Sequence, residues 1–456
     1  MTGLLATSKS LWQRSWRSKQ SPYHSAMNDL DEKQPSAGPV TLAVIGCGQR
    51  GKAYAKYALQ YPDRCKVVAI AEPRSETQKH FADLHSVDNT LVFRTWRDLH
   101  AASAETLSTI GKRLADAVII AVQDHMHVEV TEAFTQQGYH ILCEKPMATN
   151  IEDCIRMETA IKKAGIIFGM GHVMRYSPYS QEISEIVQAG RLGRLINLVQ
   201  IEPVGYYHFA HSYVRGNWAK EANSSFSLMT KSCHDIDIIC HWLSPSTPIR
   251  HFRKSSKPAE AGATTRCVDC SIEKTCPYSA KRIYLDPVSK GNKGWPAETI
   301  VDGIPDIENI AEALKSGPYG KCVYESDNDV CDNQVVNLEF DNGSTASFTM
   351  VAFTSLICDR QLRMHFTHGE IVGDMNKFTV TDFRTRTTTT HVPKDEGGGH
   401  GGGDLGLIRS FIKAVRAGDQ KVLGTDIAEI TSRKEGRVID CVEYEKLARE
   451  RVAAKV

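Results

Sequence analysis

The chain's most specific chemical pattern is a glycine-rich stretch, Gly46-Cys47-Gly48-Gln49-Arg50-Gly51. It follows an apolar run beginning at Val40 and precedes a helical pattern that extends to Leu59. In such a strand–turn–helix unit, the first glycine permits a tight turn, the second admits a pyrophosphate against the backbone, and the third lets helix and strand pack closely. The helix N-terminus then offers free N–H groups to phosphate. The pattern predicts a dinucleotide site that includes Gln49 and Arg50.

The acidic residue expected at the ribose of this dinucleotide is Glu72, which follows the apolar run 66–71 and lies 21 residues after Gly51. Its carboxylate can accept hydrogen bonds from both ribose hydroxyls and would repel a 2′-phosphate, which favours NAD. Arg74 stands two residues further on and could bind that phosphate instead. NADP therefore remains an alternative cofactor.

Two further side chains suit the oxidation of an alcohol. Lys145, in the sequence Glu144-Lys145-Pro146, follows the apolar run 140–143, and its ammonium can stabilise negative charge developing on a substrate oxygen. His234 begins an apolar helical pattern, and an imidazole titrates near neutral pH, as a general base requires. We predict both as catalytic residues. A solvated lysine and a capping or core histidine are the alternatives.

The glycine motif, the Glu-Lys-Pro motif and the helix start at His234–Asp237 together resemble the Gfo/Idh/MocA oxidoreductases, which include proteins similar to inositol dehydrogenase and glucose–fructose oxidoreductase. The resemblance covers about residues 40–456. It implies NAD(P)-linked oxidation of a sugar, polyol or sugar-acid hydroxyl, and a homo-oligomer formed through the C-terminal sheet. It also implies a cis bond before Pro146 and a place near the cofactor for Glu144, Asp124 and His127. For Asp124 and His127, an N-cap and an ordinary helix residue are equally good interpretations.

Two other functions remain open at this point. One is an NAD-dependent glycosidase of the same fold, which would oxidise its sugar transiently and produce no net NADH. The other is a non-catalytic regulator that binds dinucleotide without turnover.

One position departs from the family pattern. Inositol dehydrogenase-like members have an aspartate four residues before the histidine, where this chain has Thr230, followed by Lys231. His234 would then lack its usual carboxylate partner, or Lys231 would add a second cation and favour a substrate that carries a carboxylate. Asp235 is either a first-turn carboxylate favoured by the helix dipole or a residue that orients His234.

The remaining candidates for the substrate site are less specific. Aromatic and polar side chains suit a sugar ring, although core packing explains the two aromatic residues equally well. His400, inside the glycine-rich stretch 397–403, is a candidate lid residue. The other candidates are Arg175, Tyr176, Arg215, Asn217 and Trp218.

A cysteine cluster predicts a structural zinc site. Cys267, Cys270 and Cys276 form a C-x2-C-x5-C pattern, and thiolates suit the four-coordinate geometry of zinc. The fourth ligand would be Cys322, where Gly320 gives the backbone freedom to turn, with Cys331 as the alternative. Reduced thiols or a redox pair are the competing interpretations.

The elements that must position these residues indicate an α/β protein with two domains. Apolar runs alternate with helical patterns over residues 39–165, which predicts a Rossmann domain with a parallel sheet. Long β-like segments at 195–204, 335–340, 344–353 and 378–390 predict a large, mainly antiparallel open-faced sheet within an α+β domain over 166–456. A Cys-rich insertion is expected at about 255–320.

Composition excludes several other classes. The 456 residues carry 55 Lys+Arg against 54 Asp+Glu, so net charge gives no reason to expect nucleic acid or an anionic membrane as a partner. No run of 18 apolar residues occurs, which excludes a membrane-spanning helix. Residues 1–38 are predicted as a disordered leader or a basic, Ser-rich mitochondrial transit peptide, and the cytoplasm is the expected compartment if the leader has no targeting role.

Overall fold

Six parallel strands form the first sheet of the structure, a computed structural model that describes residues 38–244, 248–252, 265–394, 396–423 and 439–454. The strand order is β3-β2-β1-β4-β5-β6, the arrangement of a Rossmann fold. Nearly every residue of the central strands is buried, as expected of a sheet covered by helices on both faces. The strands are β1 (Val40–Ile45), β2 (Cys65–Ala71), β3 (Val92–Phe93), β4 (Ala117–Ile120), β5 (His140–Cys143) and β6 (Phe168–Met170).

The helices that alternate with these strands end at residues typical of helix termini. Helix α3 begins with a capping box between Thr95 and Asp98 and ends at Gly111, which has a positive φ. The helices of this part are α1 (Gln49–Gln60), α2 (Ser75–His85), α3 (Trp96–Ile110), α4 (His127–Gln136) and α5 (Ile151–Ala164).

A second sheet has nine strands in the order β14-β13-β12-β11-β7-β10-β9-β8-β15. The pair β7 and β10 is parallel and the other pairs are antiparallel, so the predicted fold class is confirmed. The strands are β7 (Leu195–Pro203), β8 (Pro248–Phe252), β9 (Asn333–Phe340), β10 (Thr345–Val351), β11 (Gln361–Phe366), β12 (Gly369–Gly373), β13 (Phe378–Asp382), β14 (Thr387–His391) and β15 (Ile439–Asp440).

The helices of the C-terminal part lie between and after these strands. They are α6 (Pro178–Gln188), α7 (Tyr206–Phe209), α8 (Ser227–Thr230), α9 (Cys233–Leu243), α10 (Asp286–Ser289), α11 (Ile307–Ser316), α12 (Gly403–Ala417) and α13 (Cys441–Ala453). Helix α12 packs against the Rossmann part. Its Leu407 and Phe411 belong to the same apolar cluster as Val44 of β1 and Tyr54 of α1. The chain therefore returns to the Rossmann sheet after completing most of the second one.

One predicted element is wrong. The segment 378–390, expected as one long strand, is a hairpin in which β13 and β14 pair antiparallel from Phe378↔His391 to Asp382↔Thr387. The turn contains Arg386, whose φ is +56°. Because the turn has no glycine, proline or asparagine, the usual sequence signal for a hairpin is missing.

The described part of the predicted insertion has an apolar core of its own. Tyr284, Ile310 and Leu314 are fully buried in one cluster that also contains Cys267. The predicted leader, apart from Gly38, and residues 253–264 of the insertion lie outside the described residues. Within the described residues, no helix is both long enough and apolar enough to span a bilayer.

Candidate functional site

The glycine loop between β1 and α1 has the backbone that the sequence predicts. Gly46 has a φ of +89°, and a Cβ there would collide with the carbonyl oxygen of Ala121. A Cβ at Gly51 would collide with the carbonyl oxygen of Gly46, so helix and strand approach closely. Gly48 is the N-cap of α1, and no side chain caps that terminus. The loop therefore fits a pyrophosphate bound at the helix N-terminus.

Glu72 lies beside this loop and is only 2% exposed. Its carboxylate accepts hydrogen bonds from the Cys47 N–H, at 2.9 Å, and from Arg74 Nε, at 2.7 Å. Burial favours the neutral acid, but the bonds from Arg74 prevail, so the pKa of Glu72 is lowered. Arg74, the residue predicted to bind a 2′-phosphate, is thus ion-paired with Glu72, the residue predicted to bind the ribose hydroxyls.

The Glu-Lys-Pro turn follows β5 and is held from several sides. The Lys145–Pro146 bond is cis, as the family resemblance implied. The buried Glu144 carboxylate accepts hydrogen bonds from Arg50 Nε at 2.5 Å and from the hydroxyl of Tyr54 at 2.6 Å. His127, fully buried, has its Nδ1 2.7 Å from the Pro146 carbonyl oxygen. The turn that carries Lys145 is therefore stabilised by three residues that were predicted to lie near the cofactor: Arg50, Glu144 and His127.

The structure brings Lys145 and His234 to the same place. Lys145 Nζ donates to the carbonyl oxygen of Thr230, at 2.5 Å, and Thr230 ends the short helix α8 just before α9. His234 lies in the first turn of α9 and is 2% exposed. Burial, then the positive charges of Arg360 and Lys145, hold the pKa of His234 well below its ordinary value. The imidazole is therefore neutral at physiological pH.

Arg360, which the sequence analysis did not predict, bonds directly to His234. Its Nη2 donates to His234 Nε2 at 2.8 Å. The Nδ1 atom of His234 must then carry the proton, and it is buried with no hydrogen-bond partner among the described residues. A substrate oxygen within reach would satisfy this atom.

Two buried carboxylates balance two buried cations next to His234. Arg360 Nε lies 2.6 Å from Glu202 and 3.0 Å from Asp235, and Lys231 Nζ lies 3.2 Å from Glu202. Asp235 also approaches the His234 ring, 3.3 Å from Nε2. Glu202 therefore neutralises Lys231. Asp235 gives His234 a neighbouring carboxylate, although Thr230 stands at the position where inositol dehydrogenase-like proteins have an aspartate.

The glycine-rich stretch 397–403 reaches this site through His400. The His400 and His234 rings lie edge to face, with centroids 5.6 Å apart. His400 Nδ1 is 3.1 Å from Asp404, which in turn pairs with Arg50 at 2.9 Å. Ring and ionic contacts through His400 and Asp404 thus connect His234 to Arg50 of the glycine motif, in the first turn of α1.

The predicted substrate residues divide into two groups. Trp218 Nε1 donates to Asp124 at 2.9 Å, so this pair joins the C-terminal part to the loop after β4. Arg175 binds Asp237 through two nitrogens, each at 2.5 Å, and the hydroxyl of Tyr176 donates to the Leu423 carbonyl. Arg175 and Tyr176 are therefore engaged by residues away from Lys145, and substrate roles for them remain predictions.

Two further residues at the site, Glu202 and Trp295, belong to no sequence motif. Only Glu202 could have been found from the sequence pattern. Glu202 follows Leu198 and Gln200 on the buried face of β7, and a carboxylate on such a face is unusual. Trp295 comes from the insertion and lies edge-on to His208, with ring centroids 4.9 Å apart. His208 Nδ1 is in turn 3.5 Å from Cys358 Sγ, which accepts from Lys231 at 3.1 Å. The insertion thus contributes an aromatic wall close to the charged cluster.

The four cysteines predicted as zinc ligands, Cys267, Cys270, Cys276 and Cys322, line one small cavity. Burial raises the pKa of the Cys276 thiol, and its neighbours Cys267 and Cys322 raise it further. Arg215 Nη2 lies 3.4 Å from Cys267 Sγ. In the part of the chain that the structure describes, no group of three or more His, Cys, Asp or Glu side chains is arranged to hold a metal ion. The zinc site therefore remains a prediction.

Comparison with known proteins agrees with this geometry. Residues 40–172 match a family described as an oxidoreductase family with an NAD-binding Rossmann fold. A putative oxidoreductase, YteT, of Bacillus subtilis is 24% identical over 65% of this chain and 72% of its own length. Inositol 2-dehydrogenase 2 of Saccharopolyspora erythraea is 27% identical over 45% of this chain, but the match spans only 53% of that enzyme. The structure of a levoglucosan dehydrogenase in complex with NADH and levoglucosan has a TM-score of 0.62 at 16% identity, covering 88% of this chain and 99% of the other.

Proposed function

We propose that this chain is an oxidoreductase of the Gfo/Idh/MocA type that transfers a hydride between a hydroxyl-bearing carbon of an uncharged sugar or polyol and NAD. One observation carries the proposal. Lys145, just beyond the carboxyl end of β5, donates to the Thr230 carbonyl four residues before His234, and its charge helps lower the pKa of that imidazole. Open α/β sheets bind their ligands in the crevice beyond the carboxyl ends of their strands.

The two residues have distinct tasks in the proposed reaction. NAD supplies the hydride acceptor. Lys145 donates a hydrogen bond to the reacting oxygen and stabilises the charge that develops there. His234 is neutral because burial and Arg360 oppose a second proton, and while Arg360 holds Nε2 its Nδ1–H donates a hydrogen bond that orients the substrate hydroxyl. To accept the alcohol proton as general base, the ring must exchange its bond to Arg360 for one to the substrate oxygen, so that the unprotonated Nε2 takes the proton while the hydride leaves the carbon.

An uncharged substrate fits this site better than a sugar acid. Lys231, the candidate cation for a substrate carboxylate, is paired with Glu202, and Arg360 is paired with Glu202 and Asp235. A substrate carboxylate would have to compete with carboxylates that the protein has already buried, so these cations give it little net attraction. Trp295 offers an apolar surface suited to a sugar ring.

Glu72 favours NAD over NADP. The carboxylate stands at the end of β2, where a Rossmann fold binds the adenosine ribose. To bind the ribose hydroxyls, Glu72 exchanges part of its bonding to Arg74 for bonds to the two hydroxyl groups. A 2′-phosphate would be repelled by the same carboxylate.

Substituting Lys145 tests the proposal. NADH and NADPH formation would first be followed by fluorescence against a panel of sugars, polyols and sugar acids. With the best substrate, Lys145→Ala should lower kcat by about 10²–10⁴-fold, because charge stabilisation at the reacting oxygen is lost. NADH affinity should stay within about threefold, since the fingerprint is unaltered.

The matched control is Lys315→Ala, which removes a lysine that is 67% exposed on α11 and should leave both quantities unchanged. Equal turnover in Lys145→Ala would remove this residue from the mechanism. Cleavage of a glycoside with no net NADH would instead favour the glycosidase, and NADH binding without turnover of any panel member would favour the regulator.

A further inference from the structure

A short acidic segment of the insertion lies against the dinucleotide-binding face of the Rossmann part. We call residues 297–303 the strap. Glu298 Oε1 accepts a hydrogen bond from Gln49 Nε2 at 2.6 Å. Further along, the Asp302 carboxylate accepts from the hydroxyl of Thr77 at 2.7 Å and from its backbone N–H at 3.0 Å. The strap therefore contacts the Rossmann part at two points.

These two points mark the ends of the expected path of the cofactor. Gln49 is the first residue of α1 and belongs to the fingerprint, where the pyrophosphate binds. Thr77 is in the first turn of α2, which begins four residues after the end of β2 and three after Glu72. The adenosine ribose binds at that strand end. The strap thus runs from the pyrophosphate region to the region of the ribose 2′ position.

Asp302 acts as the N-terminal cap of α2 from outside the helix. The residue at the N-cap position, Arg74, makes no side-chain cap of its own. Asp302 instead accepts from the N–H groups of Glu76 and Thr77, at 3.3 and 3.0 Å. Slight burial opposes ionisation, but these bonds prevail and the pKa of Asp302 is lowered. The N–H groups that could otherwise bind a phosphate are occupied by an anion.

Asp302 also changes the charge around Arg74. The Glu72 carboxylate, through a direct hydrogen bond, and then the Asp302 carboxylate, through its charge, both raise the pKa of Arg74. Arg74 is therefore paired with Glu72 and within range of the Asp302 charge, and the three side chains together carry one net negative charge. An arginine at this place binds a 2′-phosphate only where it is not already neutralised.

We propose that Asp302 is a specificity-determining residue that excludes NADP. Its carboxylate occupies the N-terminus of α2 and adds a second negative charge near Arg74, which Glu72 already pairs, so a 2′-phosphate meets neither free N–H groups nor a free cation. The 2′-hydroxyl of NAD needs only Glu72 and is unaffected. The inference rests on the proposed function, because it assumes that this crevice holds the dinucleotide.

The test compares the affinities of NADH and NADPH for the full chain by cofactor fluorescence. Asp302→Asn keeps an oxygen that caps α2 and removes the charge. It should tighten NADPH binding at least tenfold while NADH changes less than about threefold. Glu308→Gln, which removes an exposed carboxylate from α11 of the same insertion, should change neither. Adding Arg74→Ala to Asp302→Asn should abolish the gain, because Arg74 is the cation whose attraction for a phosphate the Asp302 charge opposes.

An unchanged ratio of the two affinities in Asp302→Asn, or an equal weakening of both, would overturn the assignment and leave Asp302 as a structural tether. The proposed function would survive that result, because NADH binding to the unaltered chain is measured separately. If the unaltered chain bound neither cofactor, the proposed function and this inference would both fall.

Discussion

At the residue scale, the proton affinity of His234 depends on a side chain 126 positions away in the sequence. Arg360 donates to Nε2, and its charge is one of the causes that lower the pKa of the imidazole. If neutral His234 is the active form, the acid limb of the pH profile of kcat/KM must follow its pKa. That limb should therefore lie below 6.5, the ordinary value for histidine.

Removing the Arg360 charge should move this limb upward. Arg360→Gln alone would leave a buried carboxylate unpaired, at a cost of about 3–5 kcal/mol. The double variant Arg360→Gln/Glu202→Gln retains Lys231 and Asp235 as balancing charges, so the cluster stays neutral. With the cation gone, protonation of His234 becomes easier, its pKa rises towards 6.5, and activity at pH 6 falls more than activity at pH 8.

The control for this pH profile is Arg384→Gln, which breaks an exposed ion pair with Asp382 on the β13–β14 hairpin and should leave the limb in place. An acid limb at the same pH in the double variant and the unaltered protein would show that another group titrates.

At the element scale, the sequence predicted best where a local motif and a regular period coincide. Helix α9 begins at Cys233, one residue before the start predicted at His234, and the β1–α1 unit has the turn that its glycines require. Lys145 and His234 were predictable because each follows or begins such an element. Arg360 and Trp295 were not, because each lies in a segment without a period, and only the tertiary fold brings them near His234 and His208. The hairpin at 378–390 was missed because its turn has no glycine.

The insertion offers an element-scale prediction about zinc. Its apolar cluster around Tyr284 gives the segment a core besides the cysteines. Four cysteines line one cavity, and thiolates at such spacing bind zinc strongly. We expect about one zinc per chain in protein purified under reducing conditions, with small side-chain rotations bringing the sulfur atoms together.

Cys276→Ser should lower both the zinc content and the melting temperature. Cys358→Ser, which changes a thiol outside the cavity, should leave the zinc content unaltered. Less than about half an equivalent of zinc in the unaltered protein would contradict the prediction and favour a cluster of reduced thiols.

At the scale of the whole molecule, the second sheet has an outward face of mixed character across its centre. Ile201, Thr349 and Val335 lie side by side on β7, β10 and β9, and all three are half-buried. The residues on the opposite face, such as Phe348 and Val336, are fully buried in the core. A row of apolar and small polar side chains on a broad sheet suits contact with a second copy of the same chain.

Thr349→Arg should therefore convert an oligomer to a monomer, because the charge would be buried without a partner at the centre of the contact. Light scattering after gel filtration measures the mass directly. Thr388→Arg places the same charge on β14, at the exposed edge of the sheet, and should keep the oligomer intact. Because the charged cluster around Glu202 lies on the opposite, buried face of β7, NADH affinity should be the same in both variants. A monomeric unaltered protein, or an oligomer whose mass Thr349→Arg leaves unchanged, would contradict a contact through this face.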